Sequence, residues 1–343
     1  MLGHEATRGD AQGRRGHAGV GGALTHLLLL AASVAALTAL VLGAADAHAL
    51  QCGKTINKSV TLKDDLLDCP EDGLIAGADG ITIDLNGHRV DGTPGGDNDL
   101  GISAPVRDDI TVKGPGRITG FEWGAYGSGE RLKLRNLRFK NNELAGGYLQ
   151  GIDGKVRNNV FRNTGMGVDL EGTSGARVIA NEIFGADTTD GVRVELDAED
   201  SLVRGNDIHD LEGMTAAGLR VLFGADSTRL VGNKITRSSS SGIQIGAEST
   251  STKVRDNVAK RSGKDGILIQ DTAFGGNNRL IGNRAHRNGE SGIVSDIPGV
   301  VINDNRANNN DTWGIVAHPG SLGDGNTTKG NGVGECFPEA LCG

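Results

Sequence analysis

Gly167-Val168-Asp169-Leu170 returns as Gly191-Val192-Arg193-Val194, Gly218-Leu219-Arg220-Val221, Gly242-Ile243-Gln244-Ile245 and Gly266-Ile267-Leu268-Ile269, with fainter copies from Gly292 and Gly314. A second phrase, closing on Asn, runs in phase with it: Val178-Ile179-Ala180-Asn181, Val203-Arg204-Gly205-Asn206, Leu230-Val231-Gly232-Asn233, Val254-Arg255-Asp256-Asn257 and Leu280-Ile281-Gly282-Asn283. A period of about 22 to 27 residues signals stacked units that bury a continuous core between neighbours. The unit reads as short strand, turn, short strand, turn, with no room for a helix. Strands stacked one turn above another must run parallel, and parallel connections are right-handed in nearly all cases. The sequence therefore predicts an all-β fold, a single-stranded right-handed parallel β-helix of about 11–12 turns. The leucine-rich repeat consensus is missing, and so is the calcium-binding Gly-Gly-x-Gly-x-Asp repeat. Asn tolerates left-handed backbone angles, and stacked amides can bond to the next turn. On this reading Asn158, Asn181, Asn206, Asn233, Asn257, Asn283 and Asn305 are corner residues with a structural task.

The bulk numbers suit a solenoid. The chain has 343 residues, 56 of them Gly, and only 3% aromatics. The net charge of −8 disfavours nucleic acid or an anionic membrane as a general partner, since neither Lys nor Arg forms a run. Arg8, Arg14 and Arg15 precede an apolar stretch, and Ala47-His48-Ala49 fits the small-x-small cleavage rule. Residues 1–49 are read as a signal peptide, which leaves 50–343 as one β-helix domain, secreted or periplasmic and free of the membrane after cleavage. An uncleaved membrane anchor is the alternative for the same stretch. The cysteines of that domain, Cys52, Cys69, Cys336 and Cys342, sit at its two ends. In an exported chain the simplest pairing is Cys52 with Cys69 and Cys336 with Cys342, tying down the terminal turns. No zinc-type spacing is present. No cofactor is expected; Asp187 and Asp190 are too few oxygens for Ca²⁺.

Alternation along the Gly phrase points Val168, Leu170, Val192, Val194, Leu219, Val221, Ile243, Ile245, Ile267 and Ile269 inward. The residues between them form an outward row of Tyr126, Tyr148, Asp169, Arg193, Arg220, Gln244, Leu268, Val294 and Val316. A second row beside it holds Gln150, Glu171, Glu195, Leu222, Gly246, Gln270, Asp296 and His318. Both tyrosines of the chain fall on the first row, beside Asp169, Glu171, Arg193, Glu195 and Arg220. This is the mix expected for a polysaccharide bearing carboxylates. Aromatic faces stack on sugar rings, Arg holds a carboxylate bidentately, and a carboxylate can move protons. Asp169, Glu171, Arg193, Glu195 and Arg220 are the candidate catalytic set, with Tyr126, Tyr148 and Gln244 as candidate substrate-binding residues. Ordinary surface ion pairing, such as Asp169 with Arg193, accounts for the same charges without function. Asp207-Ile208-His209-Asp210 reads as a solvated turn. Trp123 and Trp313 lie just before corners.

The opening string Cys52-Gly53-Lys54-Thr55-Ile56, Leu66-Leu67-Asp68-Cys69-Pro70 and Gly77-Ala78-Asp79-Gly80-Ile81-Thr82-Ile83-Asp84-Leu85-Asn86-Gly87-His88 resembles secreted bacterial right-handed parallel β-helix repeat proteins of the pectate-lyase-like superfamily. So does the ending Gly330-Asn331-Gly332 with Cys336 and Cys342. The resemblance implies the β-helix fold and, as possible activities, lyase, hydrolase or epimerase chemistry on polysaccharides. Catalytic residues do not carry over, because the epimerase-type Asp-Pro-His-Asp is absent and Asp207-Ile208-His209-Asp210 is a loose echo of it. A non-catalytic carbohydrate-binding or structural cell-surface solenoid is the alternative.

Overall fold

The computed structural model describes residues 50–342 apart from 97, 186–188, 247 and 271–275. The leader proposed for residues 1–49 lies outside the described residues. Residues 50–342 form a parallel β-solenoid of about 12 turns, with three sheets of 13, 11 and 12 strands. Every strand pair is parallel, and each strand bonds to the one a full turn away. The first sheet carries the Gly phrase, for example Val168–Glu171 and Val192–Glu195. The second carries the residues that approach the Asn, such as Arg177–Ile179, and the third those that follow it, such as Glu182–Phe184. The only helix among the described residues is one 3₁₀ turn, Glu339–Leu341.

Three strands per turn replace the two read from the sequence. The third strand begins directly after the Asn corner and contributes a single inward side chain, as Ile183 does in Glu182–Phe184. One apolar residue in three gives too short an alternation to register as a strand.

The core is a set of side-chain ladders. All ten residues predicted to point inward are buried. Phe139 and Phe161 stack in the third sheet with ring centroids 4.8 Å apart. The Gly phrase begins with Gly because the first and third sheets press together there. A Cβ on Gly191 would stand 2.6 Å from the Gly218 carbonyl oxygen and 2.7 Å from Ile208, so a larger residue would push the turns apart.

The Asn corner is a buried amide ladder whose first member is Asn159, not Asn158. Asn159, Asn181, Asn206, Asn233, Asn257, Asn283, Asn305 and Asn326 are each at most 2% exposed. Asn233 shows the pattern. Its Nδ2 donates to the Val203 carbonyl at 2.9 Å and to Asn257 Oδ1 at 3.0 Å, and its backbone N–H donates to the same Oδ1 at 2.8 Å. The left-handed angle belongs to the residue before the ladder, which is Asn158 in the first case and Ala180, Asp256 and Asp304 in others. Asn158 therefore turns the chain while Asn159 satisfies the buried backbone. A second, shorter ladder of Asn288, Asn310 and Asn331 closes the corner into the first sheet.

Disulfides join Cys52 to Cys69 and Cys336 to Cys342. They tie the first and last turns, which lack a neighbour on one side.

The outward faces of the sheets differ. On eight consecutive strands of the second sheet, from Thr111–Lys113 to Arg279–Ile281, no outward position is acidic. One row runs Lys133, Lys155, Arg177, Leu202, Arg229, Lys253 and Arg279. The parallel row runs Lys113, Arg135, Arg157, Ile179, Arg204, Val231 and Arg255.

Candidate functional site

The first sheet places the predicted row in register. Tyr126 pairs with Tyr148, Tyr148 with Asp169, Asp169 with Arg193, Arg193 with Arg220, and Arg220 with Gln244. Glu171 stands beside Glu195 in the second row. These side chains gather because neighbouring strands are only about 4.8 Å apart and every second residue faces out.

At the N-terminal end of the row the aromatics form a platform. Trp123 stacks on Tyr148 with centroids 4.4 Å apart, and Tyr126 leans on Tyr148 at 5.5 Å. Trp123 and Trp313 open the strands Trp123–Gly127 and Trp313–Ala317 rather than lying just before corners. A polar chain runs beneath the rings. Tyr126 donates its hydroxyl to Gln150 Oε1 at 3.0 Å, Gln150 Nε2 donates to the Tyr148 oxygen at 2.6 Å, and Tyr148 donates to Glu171 Oε2 at 2.5 Å. Burial, reinforced by the bond to Glu171, holds the Tyr148 phenol protonated far above its ordinary value.

Asp169 comes next and is 4% exposed. Its Oδ1 is buried without a hydrogen-bond partner. Burial, and after it the charge of Glu195, pushes the Asp169 carboxyl up to about 7, although Arg193 pulls the other way. A carboxyl poised there can take a proton near neutral pH.

The arginines answer to a residue that the sequence reading did not place in the site. Arg193 Nε lies 3.0 Å from Asp190 Oδ2, and Arg220 lies 3.1 Å from Asp190 Oδ1. Asp190 is fully buried, and its Oδ1 also accepts the Ala217 N–H at 2.9 Å. The expected surface pair of Asp169 with Arg193 does not form. Arg193 reaches instead to Asp190 and, at 3.5 Å, to Glu195. Arg220 donates to the Thr215 carbonyl and keeps a buried Nε without a partner. The signal for Asp190 was available, because the slot before the phrase Gly recurs. Asp265 fills it a few turns on and likewise accepts a backbone N–H, from Ser291 at 2.9 Å.

Gln244 continues the row but turns away, donating to Gln270 Oε1 at 2.6 Å. Beyond it Leu268, Val294 and Val316 bring no chemistry. Asp207-Ile208-His209-Asp210 is part of the strand Asp207–Leu211 in the third sheet, not a solvated turn. His209 stacks on Phe184 at 5.1 Å, and Asp207 pairs with Lys234 at 2.9 Å. Asp187 lies outside the described residues. Among those described, no group of three or more His, Cys, Asp or Glu could hold a metal ion, and no helix is long and apolar enough to cross a membrane.

Residues 155–294 match the family described as the right handed beta helix region. The chain is a right-handed parallel β-helix. Solved β-helix structures resemble it. The catalytic unit of the GH87 alpha-1,3-glucanase from Streptomyces thermodiastaticus strain HF3-3 is 15% identical with a TM-score of 0.56, the match covering 83% of this chain and 63% of that one. The mannuronan C-5 epimerase AlgE6 A-module from Azotobacter vinelandii is also 15% identical, with a TM-score of 0.49 over 83% of this chain and 86% of that one. The periplasmic alginate epimerase AlgG is 12% identical, with a TM-score of 0.47 over 82% and 75%. At such identities the likeness is one of β-helix fold. No curated protein sequence matches the chain.

Proposed function

We propose that this β-helix is an exported protein that binds a uronic-acid-containing polysaccharide across the first sheet and acts on it by lyase or epimerase chemistry. The observation that carries the reading is the convergence, on adjacent strands, of an aromatic platform with a buried carboxyl poised near neutrality. Trp123 and Tyr126, packed against Tyr148, offer their outer faces to sugar rings. Asp169 removes the proton on the carbon beside the sugar carboxylate. That proton is weakly acidic, so the developing charge needs the Arg193 and Arg220 guanidiniums nearby. Tyr148, protonated at working pH, supplies the returning proton. Delivered to the glycosidic oxygen as the carbon–oxygen bond breaks, it leaves an unsaturated sugar. Delivered to the opposite face of the same carbon, it inverts the centre. Glu171 orients Tyr148, and Glu195 holds Arg193 and raises the basicity of Asp169. The glucanase among the similar structures and the two disulfides support a polysaccharide partner outside the cytoplasm.

A second reading, carbohydrate binding without turnover, is favoured by one fact. Asp190 already engages both arginines. Incubation with polygalacturonate and with alginate separates the readings. Unsaturated ends or inverted C5 centres support the enzyme, saturable binding without product that weakens in a Trp123→Ala variant supports a first-sheet binding module, and neither outcome on any uronate polymer removes both.

A further inference from the structure

The sequence shows no run of Lys or Arg, yet the coil makes one. Cations that stand about 22 to 27 residues apart in the chain are stacked one strand apart on the second sheet. We propose that this face is a second binding site, for an extended anionic polysaccharide lying along the solenoid axis. It does not depend on the first-sheet reading, since it lies on another face of the coil.

Three observations carry the inference. The first is a charge left open. Lys155, Arg157, Arg177, Arg204, Arg229 and Lys253 are exposed, and among the described residues none of them takes part in an ion pair. Only the margins are neutralised, by Lys113 with Asp84, Lys133 with Asp109 and Arg255 with Asp256. Like charges directly opposite on neighbouring strands destabilise a sheet. A chain with net charge −8 has acids to spare, yet it keeps them off these strands. A polyanion relieves that repulsion and releases the counterions held there.

The second is shape. Strands of three residues leave two outward positions, so the charges form a narrow strip two rows wide and about 34 Å long. A strip fits one extended chain. Duplex nucleic acid winds its phosphates off a straight strip within a turn. Single-stranded nucleic acid needs aromatic stacking, and the strip has no aromatic residue. A lipid surface favours a broad face with exposed aromatic or apolar anchors, whereas the aliphatic residues on the strip, such as Ile179 and Leu202, are half-buried. One sugar advances an extended glycan by about one strand spacing, so one acidic group per sugar can meet one cation per strand. A nucleotide, with its longer run of backbone bonds, outpaces the strands.

The third is a recess where the strip turns the corner. A cavity of about 610 Å³ opens beyond Arg135 and Arg157, lined by Asn136, Asn158 and three arginines stacked in register, Arg89, Arg117 and Arg138. Asp65 and Asp91 pair with Arg89, and Arg117 and Arg138 form no ion pair among the described residues. The recess gives a branch or chain end a cationic seat beside the linear strip.

Binding of fluorescently labelled polygalacturonate to the purified protein tests this, with Arg157→Gln, Arg177→Gln and Arg204→Gln combined in one variant. We expect affinity to fall at least about ten-fold, with a shallower dependence on salt. The melting temperature should not drop, because the three side chains are exposed and unpaired. The matching variant with Lys at all three positions should keep most of the affinity. Unchanged affinity in the Gln variant overturns the proposal. So does displacement of the labelled glycan by oligothymidylate or by phosphatidylglycerol vesicles at lower charge concentration than by unlabelled polygalacturonate, which would assign the strip to nucleic acid or to a membrane. A first-sheet site that fails to turn over uronates while the strip still binds them rejects the catalytic reading and leaves this one standing.

Discussion

The two ends of the first sheet share a backbone, a register and an inward ladder, and they differ in what they show to solvent. From Tyr126 to Arg220 the outward row carries aromatics, a carboxyl and guanidiniums, while from Leu268 to Val316 it carries aliphatic residues. The inward neighbours Val194, Val221, Ile245 and Ile269 are equally buried in both. The coil therefore does not require the polar row. It also tolerates there something that stability alone disfavours, a buried Asp169 oxygen without a partner. Other buried polar atoms along the coil, such as Ser262 Oγ and Asn308 Oδ1, also lack a partner. Asp169 is the one carboxylate among them on this row, and under the proposed function its cost is borne for chemistry rather than for folding.

The comparison breaks most visibly from the inside. Ile245→Asp buries an unpaired charge, and we expect it to cost about 5 kcal/mol or more and to melt the adjoining turns. Denaturant titration checks this, and a variant as stable and cooperative as the parent contradicts the shared inward ladder. The next effect sharpens the difference between the ends. Folded Asp169 keeps its proton to about 7, whereas the unfolded chain releases it near 3.8. The folded state then binds the proton more tightly, so the parent loses stability as pH rises between those values. Asp169→Asn should accordingly gain on the order of 2–4 kcal/mol over the parent at about pH 8, and close to nothing at about pH 4. The same variant should lose about 100- to 10,000-fold in turnover of a uronate polymer. Melting curves at the two pH values check the sign. Asn233→Ala, in the ladder common to both ends, leaves the Asn206 backbone N–H without its acceptor, takes one of two bonds from Asn206 Nδ2, which keeps the Val178 carbonyl, removes the amide donor to the Val203 carbonyl, and should cost about 2–4 kcal/mol. At the far end Val294→Thr should stay within about 0.5 kcal/mol and leave polysaccharide binding untouched.

The sequence made the coil legible because its signal is repeated. Five strong copies of the Gly phrase fix which residues point inward, and the same alternation sorts the outward row from Tyr126 to Val316 without error. What it hid had no repetition or no periodicity. The third strand offers one apolar residue per turn, so it merged with the corner. Asn158 and Asn159 are adjacent, and only the backbone angle separates the residue that turns from the one that bonds. Asp190 stands in the sequence as a lone acid, and its task depends on Arg193 and Arg220, which reach it from the strand that follows it and from the next turn. The cation strip is the extreme case, because its members are never neighbours in sequence and become neighbours only through the register of the coil.

The account rests most directly on Asp169 as a base at the polar end of the first sheet. Its sharpest test is the pH dependence of kcat/KM for uronate polymer turnover, measured on the parent and on Asp169→Asn. The account predicts a rate that rises as pH passes through about 7, when the Asp169 carboxyl gives up its proton, and a variant that loses both the rate and the rise. A profile that is flat through that range, or that survives intact in Asp169→Asn, contradicts it.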